Sequence, residues 1–182
     1  MIKLLPNILS TFRLVVSFFI IPLILRNNFK MTLIFFGLAA ISDFLDGYLA
    51  RKYNASSDLG KMLDPLADKT LMIISYVLLA HVEAIPAYMA MIVAGRDFLI
   101  LTVIGACKMR NINLEIRPHL SSKINTTIQL IFIVLVLACK SLSMHIPWFL
   151  DLGGLVVSVS TIFSGAVYVQ KYYWIKDKLL QQ

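Results

Sequence analysis

Apolar runs of helical length recur along almost the whole chain. They are Leu14 to Leu25 (extending back through Ile8 and Leu9), Met31 to Ala40 running on toward Leu49, Leu71 to Ala80, Ala87 to Ala106, Ile124 to Ala138 and Phe149 to Val169. About 20 residues of helix cross a hydrocarbon core about 30 Å thick. The alternating segments of about ten residues that build a membrane barrel are absent, so helices must satisfy the backbone internally. Of the 182 residues, 59% are hydrophobic and 15% charged. Soluble domains sit near 45–50% and about 25%, respectively. The pattern predicts an all-α, polytopic integral membrane protein with six transmembrane helices and excludes a soluble globular fold.

Polar residues Asn7, Ser10, Thr11 and Arg13 punctuate the first two turns of the first run. They predict a short interfacial amphipathic helix leading into the first span, retained because no small-x-small cleavage pattern follows. With the N-terminus in the cytoplasm, the inner segments carry Lys3, Arg51, Lys52, Lys61, Lys108, Arg110, Arg117, Lys123, Lys171, Lys176 and Lys178. The outer loops carry Arg26, Lys30 and Lys140, so the split is 11 against 3. That bias places both termini in the cytoplasm, at the cell membrane. The formal charge of +7 suits an anionic leaflet, and nucleic acid needs no invoking. No linker or repeat divides residues 1–182, which read as a single transmembrane domain.

Five of the ten acidic residues fall between positions 43 and 68. Asp43, Asp46 and Ala50 share one helical face at i, i+3 and i+7, with Gly47 on its edge. Gly60, Asp64 and Asp68 share another at i, i+4 and i+8. Two facing helices would present four carboxylates at one depth. An aspartate at a span centre costs about 2.5–3.5 kcal/mol, and like charges repel further. Arg51 and Lys69 are near in sequence, but two monovalent cations do not neutralise four carboxylates. Divalent ions do, and an all-oxygen donor set selects hard ones such as Mg²⁺ or Mn²⁺. Such ions stabilise phosphoryl transfer, while a spare carboxylate accepts the proton of an alcohol nucleophile. A structural ion-pair cluster is the competing reading of the same residues.

Asp43, Asp46, Gly47, Ala50, Arg51, Gly60, Asp64 and Asp68 fit DxxDGxxAR, eight intervening residues, then GxxxDxxxD. This resembles the signature of the CDP-alcohol phosphatidyltransferases. The resemblance implies that Asp43, Asp46, Asp64 and Asp68 ligate two metal ions, Mg²⁺ or Mn²⁺, and that Asp68 is also the general base. It implies that Gly47, Ala50, Arg51 and Gly60 shape and contact the CDP moiety, and that the chain forms a homodimer through its membrane helices.

Leu5-Pro6-Asn7 with Ser10, Thr11 and Arg13, the stretch Leu63 to Lys69, Gly95-Arg96-Asp97 and Ser122 to Thr127 resemble the phosphatidylglycerophosphate synthase branch. That resemblance implies CDP-diacylglycerol as donor and glycerol 3-phosphate as acceptor. Arg96, Lys123, Arg110 and Arg117 are then the candidates for the acceptor phosphate. The stretch Arg117 to Thr126 and aspartate at position 97 also resemble cardiolipin synthases of the same family, whose acceptor is phosphatidylglycerol. The compact chain without an N-terminal extension favours the first branch. A cation channel or transporter would need ionisable groups spread across the bilayer depth, whereas these gather near one face.

Overall fold

A computed structural model describes the backbone of residues 5–53, 58–109, 120–144 and 146–180, and the side chains of 8–43, 45, 67–103, 120–144, 146 and 148–170. The described residues form α1 (Leu5–Leu25), α2 (Phe29–Tyr53), α3 (Asp58–His81), α4 (Ala87–Met109), α5 (Leu120–Ser141) and α6 (Pro147–Leu180). The expected interfacial segment and the first span are one unbroken helix, α1.

Three helix-to-helix connections use the same device. Asn27, Glu83 and Ser143 take left-handed backbone conformations. In each case the next amide reaches back five residues, Asn28 to Leu23, Ala84 to Leu79 and Met144 to Cys139. This closes the carbonyls left open at a helix end with a minimum of chain. Asn28 then caps α2, its Oδ1 accepting from the Met31 amide at 3.2 Å. Pro147 opens α6, where its missing N–H costs nothing.

Among the described residues, Ile8–Leu25, Leu120–Ser141 and Trp148–Gln170 are long and apolar enough to cross a membrane, with mean hydropathies of 2.3, 1.8 and 1.8. The chain is therefore built as a membrane protein. α6, with 34 residues, reaches about 51 Å and outruns a hydrocarbon core. Hydroxyls within α1 and α3 close on carbonyls of the preceding turn, as Ser17 does on Arg13 at 2.8 Å and Ser75 on Leu71 at 2.7 Å.

The contacts sort the chain into two compact units, Met1–Ile85 with Ile133–Ile146, and Pro86–Phe132 with Pro147–Gln182. In the first, α1 packs on both α2 and α3 through a stripe of Ser10, Arg13, Ser17, Ile20 and Ile24. In the second, α4 packs on α6.

Candidate active site

The buried stripe of α1 places an arginine where two helices bring their carboxylates. Arg13 is 1% exposed at its side chain, and its Nη1 donates to Asp43 Oδ1 of α2 at 2.8 Å. The same nitrogen donates to Asp68 Oδ1 of α3. Asp43 and Asp68 are half exposed, 53% and 46% at their side chains. A guanidinium is always charged and presents its donors in a planar fork. Burying it is tolerable because both neighbours carry the opposite charge.

Two of the four predicted aspartates thus converge, 25 residues apart in sequence, on one point. Asp46, Gly47, Ala50 and Arg51 belong to α2, and Gly60 and Asp64 to α3, but their side chains lie outside the described ones. No group of three or more histidine, cysteine, aspartate or glutamate side chains gathers among the described residues. Arg51 and Lys69 are the cations nearest these aspartates in sequence, and the side chain of Arg51 lies outside the described ones; Arg13 of α1 is a further countercharge, absent from that expectation. The signal was there: Ser10, Arg13 and Ser17 recur at helical spacing inside an apolar run, which puts a cation on the packed face.

In the second unit Arg96 is also buried. Its Nη1 donates to Asp97 Oδ1 at 2.6 Å, and its Nη2 donates to Ser122 Oγ at 2.6 Å and Ser164 Oγ at 2.8 Å. The guanidinium lies 6.0 Å from the centre of the Tyr168 ring. One side chain therefore ties α4, α5 and α6 together. Further along, Asn125 Oδ1 accepts from Ser160 at 2.8 Å and Thr161 at 3.0 Å, and Gln129 Nε2 donates to Thr161 at 2.9 Å. Lys123 stands exposed in the first turn of α5. Arg110 and Arg117 lie outside the described residues.

A family model described as CDP-alcohol phosphatidyltransferase matches residues 3–163. The chain is 30% identical to the cardiolipin synthase (CMP-forming) of Rattus norvegicus over 192 residues, covering 97% of this chain and 62% of that protein. It is 40% identical to the CDP-diacylglycerol–glycerol-3-phosphate 3-phosphatidyltransferase of Rickettsia typhi over 101 residues, covering 54% of this chain and 57% of that one. The transferase of the same name from Aquifex aeolicus is 35% identical over 124 residues, covering 66% and 68%. The chain thus spans about three fifths of the length of the rat protein.

Proposed function

Because the chain belongs to the CDP-alcohol phosphatidyltransferase family, we propose that it transfers the phosphatidyl group of CDP-diacylglycerol to glycerol 3-phosphate and releases CMP. The observation that carries this reading is the convergence of Asp43 and Asp68, from two helices, on one guanidinium nitrogen. It supports the pairing of α2 and α3 carboxylates that the aspartate pattern requires.

Asp43, Asp46, Asp64 and Asp68 are the residues that would hold two divalent ions, Mg²⁺ or Mn²⁺. The donor set fits them: carboxylate oxygens suit hard ions, and Asp43 and Asp68 already share a cation between them. Such ions, when bound, offset the charge that builds on the non-bridging oxygens of the transferred phosphoryl group. Asp68 accepts the proton of the attacking hydroxyl, and its half-exposed carboxylate leaves room for the acceptor. The acceptor oxygen then bonds to the phosphorus of the diacylglycerol phosphate as the bond to CMP breaks. Gly47, Ala50, Arg51 and Gly60 are assigned to the CDP moiety. Lys123, Arg110 and Arg117 are assigned to the acceptor phosphate together with Arg96, which has fewer donors left for it because both terminal nitrogens serve Asp97, Ser122 and Ser164.

The family match runs through parts of both compact units, which supports a single transferase domain over residues 1–182. We place all six helices in the cell membrane with both termini and the aspartates at the cytoplasmic side. Homodimerisation belongs to the same reading.

A second acceptor, phosphatidylglycerol, is favoured by the 97% coverage of this chain in the match to the rat cardiolipin synthase. Purified protein with CDP-diacylglycerol and Mg²⁺ or Mn²⁺, offered each acceptor separately, decides between them. Release of CMP with phosphatidylglycerophosphate as the product, identified by mass, is expected. Turnover with phosphatidylglycerol alone would replace the first reading by the second, and no CMP with either would remove both.

A further inference from the structure

Arg13 stands in the motif at the start of the chain, after Leu5-Pro6-Asn7 and with Ser10 and Thr11, yet it has no part in the assignments to metal, CDP or acceptor. It is the largest of the fully buried side chains among the described residues, and it keeps a full charge there. Ser10 and Ser17 lie on the same stripe and are fully buried too. Small side chains on that face let helices approach closely. The Ser17 hydroxyl donates to the Arg13 carbonyl at 2.8 Å and so asks nothing of the guanidinium. The charge is seated in packed surroundings, not at the end of a free stem.

Its two acceptors are different in kind. Asp43 and Asp68 are half exposed, and the torsion that turns a carboxylate is broad and roughly two-fold. Left alone, each would sample several orientations. One buried nitrogen, Arg13 Nη1, meets Oδ1 of both. Two oxygens that share one donor stand no further apart than about 6 Å. α2 and α3 each pack on α1, so α1 carries a common reference for both carboxylates. A general base must lie within about 2.6–3.2 Å of the proton it takes. A misplacement of about 1 Å can cost a hundredfold in rate.

We propose that Arg13 is a positioning residue for the transfer reaction: from its buried seat in α1 it orients the Asp68 carboxylate toward the acceptor hydroxyl and holds it at a fixed span from Asp43. It acts through the two aspartates and touches neither donor nor acceptor. The inference rests on the transfer reading and supplies what orients its base. A structural tie alone would raise stability and leave turnover by the folded protein as it is. A direct substrate contact would show itself in KM. Positioning lowers kcat and spares both.

The test compares the full chain in detergent with Arg13→Met, which fills similar space without a donor, and Arg13→Lys, which returns the charge on a single nitrogen. CMP release from CDP-diacylglycerol, with each acceptor in turn, gives kcat and KM. The electron paramagnetic resonance signal of free Mn²⁺ gives ion binding without turnover. In the folded fraction from gel filtration, kcat of Arg13→Met should fall about thirtyfold while both KM values stay within about threefold. Arg13→Lys should come within about fivefold of the unaltered protein, because both contacts run through one nitrogen and do not need the planar fork. Mn²⁺ should bind the methionine variant at least as tightly, since the carboxylates remain and a neighbouring positive charge is gone. Unchanged kcat in Arg13→Met, a lysine variant no faster than the methionine one, or a loss carried by KM would each overturn the proposal. So would Mn²⁺ binding that weakens in step with kcat, the mark of a collapsed site. Should Arg13→Met fail to fold, Arg13→Gln takes its place, with kcat expected between the methionine and lysine values and an unchanged kcat again overturning the proposal. No CMP release by the unaltered protein with either acceptor sinks the transfer reading and this inference with it, whereas turnover indifferent to Arg13 sinks the inference alone.

Discussion

Arg13 holds a full positive charge among carboxylates that a divalent ion would also seek. Its contacts to Asp43 and Asp68 make it a countercharge to both. Replacing it with glutamine should therefore destabilise the protein in chelator by about 1–3 kcal/mol, less than for a fully buried pair because both carboxylates are half exposed. The same change should enlarge the rise in melting temperature produced by Mg²⁺, since the ion no longer competes with the guanidinium. Melting curves in chelator and in Mg²⁺, run on both proteins, measure this. Equal Mg²⁺-induced shifts would show that the two cations do not compete. Asp68→Asn tests the other role at this point. It preserves size and should leave the helices folded by circular dichroism, while CMP release falls by at least about a hundredfold, the usual worth of a general base. Retained turnover would take Asp68 out of that role.

Helix pairing in the second unit depends on where side chains are missing. Gly153 of α6 faces Phe132 of α5, and an added Cβ would lie 2.6 Å from Cε2 and 2.9 Å from Cδ2 of the ring. The ring is a rigid plane, so the backbones must part or the ring must turn. Gly153→Ala should cost about 1–3 kcal/mol as an overpacked contact. Adding Phe132→Leu should recover part of that loss, and thermal denaturation in detergent gives both values. No recovery would place the strain elsewhere. Gly154, one residue on, has the Met89 sulfur at 3.1 Å, the end of a flexible side chain, and should tolerate alanine better. Close approach by small residues and side-chain hydrogen bonds, as at Asn125 and Thr161, are the means by which helices associate when lipid offers no hydrophobic gain.

For the chain as a whole, the cation count predicts that both termini face the cytoplasm. Reporter fusions at the two ends should give the same cytoplasmic signal; opposite signals would remove one span from the six. The six helices of the described residues could be read from the apolar runs, and three of them are long and apolar enough to cross a membrane. The turns at Asn27, Glu83 and Ser143 could not, since a left-handed residue other than glycine leaves little trace in sequence. Carboxylate spacing by itself pointed to Asp43, Asp46, Asp64 and Asp68 as one chemical group, because helical periodicity is a local property. Which cation meets Asp43 and Asp68 is a non-local property. It depended on how α1 lies against α2 and α3, and the packing brings Arg13 to both carboxylates. Likewise the spacing of Gly95, Arg96 and Asp97 marked a motif, but the tie of Arg96 to Ser122 and Ser164 arises from three helices meeting, which no single stretch of chain encodes.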